Sequence, residues 1–330
     1  MKKIINDVSQ VEQEMIQGLV KAHPQYLRRV TDSDVLARAQ KKTGKVALIS
    51  GGGSGHEPAH AGYVGYGMLD AAVPGAVFTS PTPDQVYAGI KDIATDKGVL
   101  MVVKNYTGDV MNFEMAADMA RDEGIEVEEV VVNDDVAVDG SLYTVGRRGI
   151  AGTVFVHKIA GAKAEAGGSL QEVKAVAEKV IANVRSMSMA ISPCTVPAAG
   201  KPGFEIGADE MEIGIGIHGE PGVRKDTMKN ADSIVDELLE KILSDLDYKG
   251  NDVAVMINGC GATPLMELYI VNNHVSDVLK NKGINVYKTY VGEFMTSLEM
   301  EGFSITLLKL DAETKELLDA QADTPAFKQL

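Results

Sequence analysis

The sequence predicts an α/β protein of two lobes, each a sheet flanked by helices. Short apolar runs alternate with segments of helical period, the pattern of βαβ units. A loop passage with three prolines, residues 192–203 (SPCTVPAAGKPG), separates two sets of such runs. The 330 residues also fit two units of ordinary domain size.

Taken in order, residues 45–50 (KVALIS) predict a buried strand that runs into a glycine cluster. Residues 98–104 (GVLMVVK) predict a second, followed by NYTGD, a helix over 111–122 and a strand over 127–132. That succession implies a largely parallel sheet. A helix over 169–184 closes the first lobe and sets a boundary near Arg185, giving lobes of residues 1–184 and 185–330. In the second lobe, 211–217 (MEIGIGI) alternates Met211, Ile213, Ile215 and Ile217 with Glu212, Gly214 and Gly216, a strand with one apolar face. Residues 231–246 form a strong amphipathic pattern, and 252–257, 285–291 and 304–310 read as strands.

Hydrophobic residues make up 45% and charged residues 24%, a globular balance. The formal net charge of −15 repels phosphate backbones and anionic lipid, which argues against nucleic acid and membrane surfaces as partners. Cys194 and Cys260 lie far apart and form no CxxC pair, so reduced thiols in a cytoplasmic protein are the plain reading. The first fifteen residues lack the apolar core of a signal peptide, and no apolar run approaches membrane-spanning length. The glycosylation acceptor at Asn105–Thr107 therefore reads as accidental.

The informative residues lie in loops after predicted strands, where ligands of open α/β sheets gather. Gly51, Gly52, Gly53 and Gly55 surround Ser54 and precede His56; such a run lets a small polar ligand approach backbone N–H groups. Three familiar patterns compete. His56 to His60 fits H-E-x-x-H, but the glycine run and Gly62, Gly65 and Gly67 disfavour the helix that zinc ligation needs, leaving His60 as a core residue or a support to the site. Gly214 to Gly219 fits G-x-G-x-x-G, but Glu220-Pro221-Gly222 follows where a dinucleotide fold requires a helix. Gly52 to His56 falls one residue short of a serine-hydrolase elbow, and no Walker A loop occurs. What remains is His56, Lys104, Asp109 and His218, a set suited to a small polyhydroxylated substrate and an acid–base step. Each has a plainer alternative: a solvated strand end for Lys104, a helix cap for Asp109, a structural imidazole for His218.

Nine segments, among them SGGGSGHEP (50–58), VKNYTGDVMNFE (103–114), DDVAV (134–138), SLYTVGRRG (141–149), MEIGIGIHGEPG (211–222) and TSLEMEGFSITLLK (296–309), closely resemble the dihydroxyacetone kinase family over nearly the whole chain. By length the chain resembles the short K subunit of the phosphoenolpyruvate-dependent type. The resemblance implies that His218 holds dihydroxyacetone through Nε2 as a hemiaminal and that Asp109 is the general base, with His56 beside it as base or hydrogen-bond partner. It implies substrate contacts from Gly53, Ser54, Gly55 and Lys104. Asp135 and Arg147-Arg148 read as structural or surface groups. No cofactor or metal is expected on this chain: ADP or ATP with magnesium would sit on a separate L subunit, recharged through a phosphoryl donor, M. A homodimer is expected. The alternative is a non-catalytic K-like paralogue that binds dihydroxyacetone as a signal and assists a transcription regulator.

Overall fold

A computed structural model describes residues 2–138 and 144–330; the SLY at the head of the SLYTVGRRG motif, residues 141–143, lies outside them. The first sheet is built from β1 (Leu27–Arg29), β2 (Leu36–Arg38), β3 (Ala47–Ser54), β4 (Ala71–Val77), β5 (Val99–Lys104) and β6 (Val127–Val132). Its order is β1-β2-β4-β3-β5-β6. The four central and edge strands β4, β3, β5 and β6 are mutually parallel. All eight residues of β3 and all six of β5 are buried, because a parallel sheet is covered on both faces. Helices α1 (Val11–Ala22), α2 (Pro83–Ile93) and α3 (Thr107–Asp122) accompany this sheet. One apolar cluster joins its outer face to α2 and α3 through Ile49, Met101, Val86, Ile90 and Phe113.

Helices α4 (Thr153–Glu165) and α5 (Leu170–Asn183) follow. A capping box opens α5: Glu172 Oε2 accepts from Ser169 N at 2.8 Å, and Ser169 Oγ accepts from Glu172 N, worth about 1 kcal/mol. The second sheet comprises β7 (Val184–Ala190), β8 (Glu210–Ile213), β9 (Arg224–Thr227), β10 (Asp252–Gly259), β11 (Asn285–Gly292) and β12 (Gly302–Leu310). Its order is β11-β10-β12-β7-β8-β9, and only β10 and β11 run parallel. Alternating strands and helices predict parallel pairing, which holds for β4, β3, β5 and β6 of the first sheet but not for β1 and β2, which pair antiparallel; in the second, β12 inserts between β10 and β7 and runs against both. Helices α6 (Ala231–Asp245), α7 (Leu265–Asn281) and α8 (Ala312–Asp319) follow, and β13 (Ala322–Asp323) pairs with β14 (Lys328–Gln329) as a small separate sheet.

The largest core cluster binds the two sheets together. It takes Leu100 and Val130 from the first sheet, Phe155 and Val176 from α4 and α5, and Met256 and Leu308 from the second. The layers therefore run helices, sheet, helices, sheet, helices, with α6 and α7 on the far side. Arg147 and Arg185 share the Asp245 carboxylate, with Arg147 Nη2 at 2.5 Å, a further tie between the halves. Two expected elements move. The helix predicted from 111 begins at Thr107, and the strand predicted over 211–217 ends at Ile213 because Gly214 turns the backbone to φ 76°. Among the described residues, no helix is long and apolar enough to cross a membrane.

Candidate active site

The carboxyl ends of β3 and β5 supply one wall of the site. Each glycine of the β3 end is required by a near neighbour. A Cβ on Gly51 would lie 2.5 Å from the Val73 carbonyl oxygen, and one on Gly53 2.5 Å from the Thr79 amide nitrogen. A Cβ on Gly52 would collide with Lys104 Nζ. Gly55, at φ 104°, admits the Phe78 ring and the Leu298 side chain, either of which a Cβ would crowd. Phe78 and Leu298 themselves hold left-handed backbones at φ 57° and 54°. For branched or bulky residues that conformation costs on the order of 1 kcal/mol, a strain that concentrates at functional sites.

Lys104 ends β5 with no exposed surface and reaches Asp109 Oδ2 at 3.0 Å. Asp109 is not the cap of α3: Tyr106 stands at the N-cap, and Asp109 sits in the first turn, where the helix dipole favours a carboxylate. His56 is fully buried. Its Nδ1 lies 2.7 Å from the Thr296 carbonyl oxygen and must donate there. That assigns Nε2 as the unprotonated nitrogen, and Nε2 has no partner. Burial first, then the neighbouring His218 and Lys104, holds His56 well below the usual imidazole range, so it is a neutral base.

The second wall is the loop after β8, residues 214–222, in which no helix begins. His218 has a side chain 18% exposed, and its Nδ1 lies 2.8 Å from Glu220 Oε1. Glu220 Oε2 accepts the His218 backbone N–H at 2.9 Å, closing the loop on itself. Burial would raise the Glu220 carboxyl, but His218 and the Arg148 guanidinium lower it to about 2. An ionised Glu220 requires the proton on Nδ1; in the neutral imidazole Nε2 is then the bare ring nitrogen. The His218 ring packs edge-on against Tyr106 and His56, each with centroids 4.7 Å away, and against Phe78 at 5.1 Å.

Residues 296–298, between β11 and β12, join the walls. Their amides donate to His56 and Gly55 carbonyls at 3.2 and 2.8 Å, while Ser297 Oγ donates to the Ile217 carbonyl. A cavity of about 620 Å³ opens between the walls, lined by Gly53, Asp109 and His218 together with Tyr106, Phe204 and Glu220. His56 and Lys104 stand behind it. Ser54 is set differently: its hydroxyl donates to the Gly75 carbonyl at 2.7 Å and stitches β3 to β4. The Gly55 amide donates to the Glu57 carboxylate. The H-E-x-x-H histidines point apart, because residues 56–60 form a turn. His60 Nδ1 faces His157 Nε2 at 3.0 Å, and burial pushes His157 down to about 3. Among the described residues, no three His, Cys, Asp or Glu side chains cluster as metal ligands.

Glu220, Tyr106 and Arg148 escape a sequence reading. A carboxylate two residues after a glycine-flanked histidine was the available signal for Glu220. Burial, not residue type, reveals the other two.

Residues 17–326 match the Dak1 domain. The chain is 57% identical over 329 residues to a Listeria innocua protein, "PTS-dependent dihydroxyacetone kinase 1, dihydroxyacetone-binding subunit DhaK", covering 99% of this chain and 100% of the other. The native dihydroxyacetone kinase of C. freundii superposes with a TM-score of 0.93 at 35% identity, over 99% of this chain and 60% of that one. The dihydroxyacetone kinase operon co-activator Dha-DhaQ superposes with a TM-score of 0.91 at 36% identity, over 98% and 99% of the two chains.

Proposed function

The chain belongs to the Dak1-domain family of dihydroxyacetone kinases, and from that premise we propose that it binds dihydroxyacetone covalently and presents it for phosphorylation by a nucleotide-loaded partner subunit. The observation that carries this reading is the pairing of two histidines whose Nδ1 atoms are both engaged, His218 on a cavity wall and His56 directly behind it, beside the Asp109 carboxylate.

In this reading His218 Nε2 adds to C2 of the ketone. An N–C bond forms, the carbonyl π pair moves to oxygen, and that oxygen takes up a proton; nothing leaves. The ring gains positive character as it is alkylated, and the Glu220 carboxylate on Nδ1 stabilises that charge. Glycerol has no carbonyl and cannot make the bond, so the covalent step selects ketone over polyol. Gly53 leaves its backbone open to the substrate, and Asp109, paired from behind with Lys104, meets a terminal hydroxyl. Asp109 then takes the hydroxyl proton as that oxygen attacks the γ-phosphoryl group, with His56 Nε2 as hydrogen-bond partner or alternate base. The cavity exceeds what a three-carbon ketone fills, which leaves space for the phosphoryl group of the donor.

ADP or ATP and magnesium belong on the partner L subunit in this scheme, with phosphoenolpyruvate as ultimate donor through M. A homodimer is part of the same reading. The likeness to Dha-DhaQ supports a second one, ligand sensing beside a transcription regulator. Asp109 and His56 favour catalysis, since a sensor needs only the covalent anchor. The discriminating assay combines purified chain, dihydroxyacetone, nucleotide-loaded L subunit and a phosphoenolpyruvate-charged donor. Dihydroxyacetone phosphate should accumulate only in the complete mixture; an adduct without product under those conditions would favour the sensor.

A further inference from the structure

Behind His218 lies a buried charge cluster that the chemistry above leaves unused. Asp135 and Arg148 have no exposed side-chain surface and pair at 2.8 Å. Arg148 Nη2 also donates to the Gly214 carbonyl at 2.7 Å, at the start of the loop that carries His218. Its Nη1 is buried with no partner. A Cβ on Gly216 would sit 2.7 Å from Nη1 and would overlap Glu220 Oε2, so the guanidinium and the carboxylate flank one bare Cα. The glycine is what allows the two to approach. A second buried donor without a partner, the Tyr106 hydroxyl, belongs to the same cluster. Burial and then the Glu220 charge keep that phenol protonated, well above its ordinary range. Unpaired buried donors cost on the order of 1–3 kcal/mol each, so two of them around one carboxylate need a reason.

We propose that Arg148, clamped by Asp135, is a positioning residue that keeps Glu220 anionic and thereby fixes His218 in the tautomer whose Nε2 can attack a ketone. If Glu220 took up a proton, its hydroxyl would donate to Nδ1. The imidazole proton would then move to Nε2 and the nucleophilic lone pair would be lost. The groups facing this carboxylate are His218 and Arg148, with Tyr106 and Asp135 beyond them; His56, Lys104 and Asp109 stand on the opposite wall. Burial raises Asp135 to about 6 against the pull of Arg148, which leaves it ionised at neutral pH as the counter-charge that anchors the guanidinium. The inference rests on His218 being the covalent anchor.

The test measures the rate of dihydroxyacetone adduct formation by intact-protein mass spectrometry between pH 5 and 9. Three forms are compared: the unaltered chain, Arg148→Lys, and the charge-neutral double variant Arg148→Met/Asp135→Asn, which leaves no lone buried charge. The double variant should form the adduct about tenfold more slowly than the unaltered chain across this window, because Glu220 no longer holds the proton on His218 Nδ1. Arg148→Lys should restore the original profile. If the double variant does not fold, Arg148→Lys and the ¹⁵N tautomer of His218 in the unaltered chain still decide: Nε2–H at pH 7, or a lysine profile unrelated to the retained charge, would overturn the idea. Superimposable pH profiles with only a lowered melting temperature would assign Arg148 a purely structural role and refute the proposal. Absence of any adduct in the unaltered chain would instead defeat the covalent-anchor reading on which it rests.

Discussion

The two walls of the site are built by opposite means. The wall from β3 and β5 is a parallel-sheet edge, buried throughout, where backbone and side chains leave no room for change. The wall that carries His218 is an irregular loop off a four-residue strand of an antiparallel sheet, buried at Gly214 to Ile217, partly open at His218 and held by a carboxylate. In the proposed mechanism the first gives precise placement to groups that handle a proton, and the second gives reach and an oriented lone pair to a group that must form and break a bond. On that reading His56, as hydrogen-bond partner or alternate base, and His218, as nucleophile, sit 4.7 Å apart, ring to ring, on scaffolds of different stiffness.

If the walls have separate tasks, damage to one should spare the other. Asp109→Asn removes the base from the rigid wall, so phosphoryl transfer in the reconstituted system should fall by about 10²–10⁴-fold, while the mass of the dihydroxyacetone adduct persists. Equal loss of both would dissolve the division. Gly52→Ala is a gentler probe of the same wall. Its Cβ displaces Lys104 Nζ from Asp109, and a misplacement of that size should cost on the order of 10²-fold in transfer. Adduct formation on His218 should again survive, and wild-type turnover would show that Lys104 has no such part.

Stability against pH sharpens the contrast further. His56, His60 and His157 are all buried on the rigid side, and burial lowers each below its unfolded value. Below about pH 6.5 the unfolded chain takes up protons that the folded chain refuses. Stability should therefore fall with pH, by about 1.4 kcal/mol per unit for each histidine, until the depressed folded values are reached. Urea unfolding at pH 7 and pH 5.5 measures this, and His157→Gln should flatten the slope by one proton. Equal midpoints at the two pH values would mean that these imidazoles are charged in the folded state.

The rigid wall was legible in the sequence because its constraints are local. A glycine run at the end of an apolar strand, and a lysine and aspartate around a turn, announce themselves by spacing. Strands β6 and β10 to β12 and helices α5 and α6 were legible for the same reason, through their periods. Helix α4 was not: nearly all of its residues are buried, so it has no polar face to give it an amphipathic pattern. The early start of α3 was hidden by Gly108, a poor helix former. The antiparallel order of the second sheet depends on where β12 inserts, which no local pattern encodes. Arg148 was left open. An arginine pair in a loop reads as structural or surface, and one of the two is fully buried because Asp135 and the Gly214 carbonyl await it from elsewhere in the chain.

The central claim is that His218 reacts and the opposite wall does not. It is tested most directly by exposing crystals of the chain to dihydroxyacetone and, separately, to glycerol. The account predicts density continuous from His218 Nε2 to C2 of the ketone, no bond to glycerol, and no adduct in His218→Ala. Dihydroxyacetone lying unbonded in the cavity, or joined to His56 or Lys104, would contradict it.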